Sequence, residues 1–517
     1  MVDRNSPYSD QPSDATQIGQ WTQERLRGVA QELFVDAPLV VVSNREPYLH
    51  HLEDKGKGDL TWRRPPGGLV SALDPVMQAI KGGLWVAQGT GEGDRMAVDD
   101  AGRVAVPPDN PAYTLKRIWL EQAEIEGYYE GFSNEGLWPL CHVVFHRPRF
   151  TPSDWAHYQQ VNRRFADAVL EEIEGKSAFV WVQDYHLCLV PLYLREARPD
   201  LTIGISWHIP WPNPEIFQTC PYAVQLLEGL LAADVIGFHI RYHCNNFLAT
   251  VEQELEARLD RERSRVVRLG HETRIVDIPI SVDTDEEEEV ARSQEAADQM
   301  EHFQVLFNLE AYDHVLLGLD RFDYTKGIPE RLTAVDRLLQ DHPEYKEKLV
   351  FLQVGEVSRM QIPQYQALNL EVEQLTQEIN DRHRTADWEP IILWRDPVER
   401  ADLMALYQLA DVCVVSSLHD GMNLVAKEYI ASRVDETGVL VLSRFTGAAR
   451  ELPDALLINP YDAEDFAKKL DQAIQMPEAQ KSDRMRRMRR VVRQNNIYAW
   501  AGRFLQEMAH GSGGGSQ

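Results

Sequence analysis

Short apolar runs alternate along the chain with stretches of helical periodicity. Segments 38–43, 84–87, 113–120, 179–182, 201–207 and 235–238 read as strands, several apolar enough to be covered on both faces. Segments 69–80, 124–140 and 154–173 read as helices, the last with Ser153 as its cap. The alternation then repeats. Segments 315–319, 349–354, 390–394, 412–417 and 438–442 read as strands. Segments 328–339, 363–382, 401–409, 423–432, 463–476 and 480–508 read as helices. Two successive β/α series of about 200 residues predict an α/β protein with two facing Rossmann-like domains and a cleft between them. A chain of 517 residues makes one larger domain the lesser expectation.

The expected divisions are an N-terminal extension at 1–36, a first domain at 37–283, a second at 284–480, closing helices at 481–510 and a flexible tail at 511–517. The first 17 residues are polar and expected to be loose, whereas 21–34 has the pattern of a short amphipathic helix. The acid run 284–289 reads as a solvated helix start or surface connection, and the basic stretch 484–493 as a solvated face.

In open α/β sheets ligands gather beyond the carboxyl ends of the strands. Three strands of the first series run into Asp184, His208 and His239, and the first strand ends at Arg45. In the second series strands lead to Arg321 and Lys326, to Arg359, and to Asp420-Gly421. The strand, Gly turn and helix at 412–432 form an anion cradle, in which helix N–H groups meet a phosphate while Asp420 and Glu428 can hold hydroxyls. Arg45, Arg321, Lys326 and Arg359 are suited to two phosphate groups. Gly89, Gly91 and Gly93 do not have dinucleotide spacing, and the chain after them is expected to loop rather than form a helix.

The net charge of −28 argues against nucleic acid or an anionic membrane as partner, so an anionic substrate must be met by a few local cations. The five cysteines form no CxxC pair and are expected to be buried free thiols. The N-terminus lacks a signal-peptide core and no segment reaches the length of a membrane span, so a soluble, cytoplasmic protein is expected. No metal cluster is expected: Asp283-Thr284-Asp285 spells DxD but merges into the acid run, and HExxH and GxSxG are absent.

SNR at 43–45, PGGL at 66–69, YYEGFSNEGLWP at 128–139, DYHL at 184–187, HIPWP at 208–212, RFDYTKGIPER at 321–331 and DGMNLVAKEY at 420–429 together resemble the trehalose-6-phosphate synthase family. The resemblance runs in order from about residue 39 to 508. It implies a retaining glycosyltransferase of the GT-B type that moves glucose from UDP-glucose to glucose 6-phosphate, without a cofactor. It implies that Arg45, Tyr129, Trp138 and Arg359 hold the acceptor, and that Asp184 and His208 lie beside the transferred glucose and the acceptor hydroxyl. Gly68, Arg321 and Lys326 would hold the donor diphosphate. Asp420, Met422, Asn423 and Leu424 would grip the donor glucose and phosphates, and Glu428 the ribose. Asp184, His208, Arg321 and Lys326 are the implied catalytic group. The implied mechanism is front-face displacement, with no protein nucleophile.

The chain departs from that pattern at Gln183, where His is usual, at Gln88, where a Trp-containing GWSG is common, and at His419, where Arg is frequent. The donor base (uridine, adenosine or guanosine) and a homo-oligomer stay open. One rival is glucosylglycerol-phosphate synthase, which REPY at 45–48 resembles; another is a silent sugar-phosphate sensor on the same fold.

Overall fold

The computed structural model describes residues 20–35, 37–52, 60–65 and 67–512. The polar stretch expected to be loose, residues 53–59 and residues 513–517 of the tail lie outside them. The protein is α/β and is built on two large separate sheets, one of ten strands and one of six, with a two-stranded hairpin of Leu49–Leu52 and Leu60–Arg63 beside them.

Seven strands of the first sheet are parallel; antiparallel strands extend it at both edges. Leu39–Arg45 lies between Leu84–Gly89 on one side and Phe179–Gln183 on the other. The six strands of the second sheet are all parallel, with His314–Leu319 between Leu349–Val354 and Val412–Val415. In each sheet the chain lays its next strand on one side of the first and later returns to the other. That leaves a topological switch point beyond the carboxyl ends of the two central strands. Arg45 and Asp184 flank the first switch point, Arg321 and Asp420 the second.

The antiparallel strands Arg103–Val106, Arg258–Asp260 and Arg265–Arg268 are short and rich in charge, so their hydrophobic pattern is faint. Three local expectations need correction. Glu92–Ala97 is a helix, not a loop, because Asp94 accepts the Thr90 and Gly91 N–H groups and closes its first turn. The helix Pro152–Ile173 is capped by Thr151, not Ser153: Thr151 has extended backbone angles and its Oγ1 accepts the Asp154 N–H. The expected helix at 124–140 is mainly a π-helix, Ile125–Leu137. Ser133 Oγ–H and Asn134 Nδ2–H each donate at 2.7 Å to the carbonyl five residues earlier, which supports the wider turn.

The acid run begins the helix Thr284–Ala291. Asp283 is its cap and also accepts the Tyr498 hydroxyl, so its carboxylate is engaged in folding. The run is not wholly solvated, since Glu287 is buried against Arg400. The last helix, Ile497–Ser512, returns to the first sheet, where Trp500 and Phe504 pack on Trp181 at 4.8 and 4.9 Å. All five cysteines are free and buried. No helix of the described residues is long and apolar enough to cross a membrane.

Candidate active site

At the first switch point Asp184 has φ 70°, a conformation that costs a non-glycine residue about 1–3 kcal/mol and that surrounding structure must hold. Its N–H donates to the Ser206 carbonyl at 2.7 Å, and its Oδ1 accepts the His208 N–H at 3.1 Å. Burial raises its carboxyl to about 7, although the His208, Tyr185 and Ile209 N–H groups and Arg359 pull the other way.

The His208 ring lies in a chain whose protons can be assigned from one end. The Ile280 N–H donates to His239 Nδ1 at 3.3 Å, so His239 carries its proton on Nε2. That proton reaches His208 Nδ1 at 3.2 Å, which leaves His208 protonated on Nε2, 3.0 Å from Gln183 Oε1. Burial drives His208 down to about 3, so the ring is neutral. Gln183 Nε2 is buried and has no hydrogen-bond partner among the described residues.

The π-helix brings up the aromatic wall. Tyr129 stacks on His186 at 5.6 Å, and its hydroxyl accepts from Arg45 Nη2 at 3.2 Å. Arg359, from the second unit, lies over the Trp138 ring at 4.7 Å and the Tyr129 ring at 5.9 Å. Burial would raise the Tyr129 phenol, but Arg359 and Arg45 outweigh it and hold it at about 7. Arg321 is lowered by burial and then by Arg359 and Arg45. Three guanidinium groups therefore converge from both units. Among the described residues Arg321 has no hydrogen-bond or ion-pair partner.

At the second switch point Lys326 Nζ meets Asp420 Oδ2 at 2.6 Å. Burial opposes ionisation of Asp420, but Lys326 wins and holds it down to about 2. Asn423 has φ 93° and its Oδ1 accepts the Ala426 N–H, capping the helix Leu424–Ser432. The turn at Gly421 does not require a left-handed backbone. Its glycine is needed for close approach, because a Cβ there would stand 2.0 Å from the His208 carbonyl oxygen. A Cβ on Gly68 would stand 2.7 Å from Leu424 Cδ1. The two units thus touch at the residues expected to form the site, and Met422 is buried beside them. Glu428 sits lower on the helix in its own cluster: it accepts the Tyr407 hydroxyl at 2.9 Å, and burial raises its carboxyl.

The strand-end residues Arg45, Asp184, His208, Arg321, Lys326, Arg359 and Asp420 are brought together through these contacts. Sequence reasoning did not foresee the contacts that position them. Asp323 accepts the Tyr365 hydroxyl at 3.0 Å and pairs with Arg359 at 3.5 Å. His419 reaches across to the first unit and bonds the His142 carbonyl at 2.8 Å. Asp323 and Tyr365 were readable only as members of an apolar-polar strand end and a helix. Within the REPY stretch that resembles the rival, Glu46 and Tyr48 are spent on folding, while Arg45 belongs to the site. Glu46 is buried against Arg117 at 2.5 Å, and the Tyr48 hydroxyl donates to Asp74 at 2.8 Å.

Trp138 Nε1, Gln183 Nε2, His186 Nε2, Ser358 Oγ and Arg359 Nε are buried polar atoms without partners among the described residues. Native proteins rarely leave such groups unmet, and a ligand rich in hydroxyls and phosphates would satisfy them. No group of three His, Cys, Asp or Glu side chains among the described residues is arranged to hold a metal ion.

The comparisons with known proteins agree with this architecture. The chain is 38% identical over 500 residues to the trehalose-6-phosphate synthase of Mycobacterium marinum, covering 95% of this chain and 98% of that one. A Burkholderia xenovorans alpha,alpha-trehalose-phosphate synthase (UDP-forming), in complex with glucose-6-phosphate, superimposes with a TM-score of 0.80 at 31% identity, over 91% of this chain and 99% of that one. An E. coli structure bound with UDP-2-fluoro glucose does so with a TM-score of 0.80 at 30% identity, over 92% and 99%. The fold is accordingly of the GT-B type, two facing Rossmann-like halves. A family model matches residues 37–510, almost all of what the two sheets and the closing helices contain, and on that match the chain belongs to glycosyltransferase family 20.

Proposed function

We propose that this protein is a retaining glucosyltransferase that moves glucose from a nucleotide-activated glucose, UDP-glucose first, to glucose 6-phosphate, giving α,α-trehalose 6-phosphate and the nucleoside diphosphate. The observation that carries this reading is the convergence of Arg45, Arg321 and Arg359 at the junction of the two switch points, with Lys326 beside the helix start. Cations held this close repel one another and are stabilised by dianionic ligands. One phosphate comes with the acceptor and two with the donor. The curated relative and both solved structures support the same substrates.

In this reading residues 37–283 form the acceptor half and 284–480 the nucleotide-sugar half. The bond from donor C1 to its phosphate oxygen breaks while a bond from C1 to the acceptor C1 hydroxyl oxygen forms on the same face. The acceptor proton passes to the departing phosphate oxygen, so no enzyme nucleophile enters. Arg321, Lys326 and the N–H groups at 424–426 stabilise the charge that grows on the diphosphate. Arg45, Tyr129, Trp138 and Arg359 orient the acceptor phosphate. Asp184 and the Gln183 amide face sugar hydroxyls. Side chains and helix N–H groups meet the phosphates, and the reaction needs no cofactor.

Purified protein is incubated with UDP-, ADP- or GDP-glucose and either glucose 6-phosphate or glycerol 3-phosphate, and the product is read by proton NMR. The expected product has two α-anomeric protons and forms only with glucose 6-phosphate. Turnover with glycerol 3-phosphate and none with glucose 6-phosphate would overturn the reading.

A further inference from the structure

The basic stretch 484–493 is not simply a solvated face. It lies along the helix Glu478–Gln494 and forms one wall of a cavity of about 1160 Å³. Seven arginines line that cavity, among them Arg292, Arg486, Arg489, Arg490, Arg493 and Arg503, with Glu436 beside them. Carboxylates answer part of this charge. Glu436 and Asp483 pair with Arg486 at 3.1 and 3.8 Å. Glu288 is shared by Arg489 at 2.8 Å, by Arg493, and by Arg292 at 3.9 Å. Arg490 has no hydrogen-bond or ion-pair partner among the described residues. So large an excess of cations in one hollow of a chain with net charge −28 costs self-repulsion and is out of keeping with the rest of the sequence.

The cavity is also wired to the candidate donor site. Arg489 is buried, and its Nη1 donates to the Ile430 and Ala431 carbonyls at 2.9 and 2.7 Å. Those carbonyls are unmet acceptors at the C-terminal end of Leu424–Ser432, the negative pole of the helix. The N-terminal end of the same nine-residue helix is the anion cradle, about 10 Å away along the axis. Glu288, the other acceptor of Arg489, belongs to Thr284–Ala291, whose Glu287 pairs with Arg400 and has its carboxyl raised by burial and by the nearby Glu428.

We infer that this arginine-lined cavity is a second anion site, which binds a compact metabolite carrying several phosphate groups and is coupled to donor binding through Arg489 and the helix Leu424–Ser432. Compactness follows from charge: the strongly acidic remainder of the surface repels an extended polyanion such as nucleic acid, whereas a small ligand is enclosed by the cations. A ligand that draws Arg489 toward its phosphates weakens the cap on the helix and changes how firmly the cradle is held. By reciprocity, donor nucleotide and second anion shift each other's affinity by the same factor. The coupling rests on the donor reading above; the site itself does not.

Inorganic tripolyphosphate is the probe, titrated calorimetrically into the full chain with UDP in excess to occupy the cleft cations. One saturable binding event is expected. In Arg490→Glu/Arg503→Glu it weakens at least tenfold, and in Arg490→Lys/Arg503→Lys it is retained within about threefold. UDP affinity, measured with and without tripolyphosphate, shifts in the native chain and not in the glutamate variant. Absence of the binding event, or equal binding by the glutamate variant, overturns the site. Binding without a shift in UDP affinity overturns the coupling. The heat of tripolyphosphate binding is read without turnover, so a failure of the glucosyl-transfer reading leaves this outcome distinct.

Discussion

Gly421→Ala isolates the contact that joins the two units at the candidate site. The added Cβ would stand 2.0 Å from the His208 carbonyl oxygen, whereas real Cβ contacts stay above 3.0 Å. At least about 1 Å must therefore be made up, between two backbones rather than by rotation of a side chain. The Gly421 segment cannot retreat within its own unit. Its carbonyl packs against Gly447, where a Cβ would stand 2.1 Å away, and Asp420 and Met422 are tied by three backbone hydrogen bonds to 445–448. The strain is relieved by parting the units, which carries Lys326 and Asp420 away from Asp184 and Arg45. A misplacement of about 1 Å in a reacting geometry costs on the order of 10²-fold in rate, about 2.7 kcal/mol of transition-state stabilisation. Steady-state kinetics that follow release of nucleoside diphosphate should show kcat/KM down by about that factor with an unchanged thermal transition. Gly28→Ala is the control: nothing lies within 4 Å of its Cβ, and helix propensity makes it neutral or stabilising by about 0.5–1 kcal/mol. If Gly421→Ala retains kcat/KM within threefold, close approach at this glycine does not set the site's geometry.

Lys326→Ala should lower kcat by about 10²–10³-fold with the fold intact, because it removes charge stabilisation realised as the diphosphate departs; a wild-type rate would remove Lys326 from the chemistry. Arg331→Met should destabilise by about 3–5 kcal/mol, since it leaves the buried Asp320 without the guanidinium 2.5 Å away; an unchanged urea midpoint would refute this. Burial raises Asp184 to about 7, above its unfolded value, so the folded state favours the protonated form. Its contribution to stability is complete below about pH 4 and is lost as pH rises through about 7. Denaturation of Asp184→Asn from pH 4 to 8 should therefore lack that decline; matching slopes in both proteins would mean that Asp184 ionises as it does in the unfolded chain.

Much of the architecture was legible because a buried parallel strand is a short apolar run followed by polar residues. The polar stretches after those runs hold Arg45, Asp184, Arg321 and Asp420, and the sheets place them at or just beyond the strand ends. It could not distinguish α from π in Ile125–Leu137. The distinction depends on Ser133 and Asn134 reaching back five residues, on Gly127 and Gly131 lying against His157 and Asp154 of the neighbouring helix, and on Gly136 lying against Phe150 just before it. Glycine at 421 was read as relief for a turn, while the constraint is the His208 carbonyl, 213 residues earlier in the chain. The 484–493 stretch looked like a solvated face because its periodicity is compatible with one. Only the packing of Glu478–Gln494 beside Leu424–Ser432 makes Arg489 a cap for another helix.

The same limit governs His208. The family resemblance implies that it lies beside the transferred glucose and the acceptor hydroxyl. The proton order fixed by the Ile280 N–H leaves neither ring nitrogen free: Nδ1 accepts from His239 and Nε2 donates to Gln183. What that array leaves unmet is the buried Gln183 amide N–H, whose polarity is set three residues deep by a main-chain donor. A histidine at position 183 would take up His208's proton through one nitrogen and offer the other in a form that changes with pH. The amide has no titration near neutrality. The departure at Gln183 thus trades a titratable group for a permanent donor, next to Asp184, whose own proton comes and goes near pH 7. Proton-dependent behaviour at this edge of the site therefore centres on the carboxyl of Asp184 and the phenol of Tyr129, the two groups that burial and the arginines bring to about 7 from opposite directions.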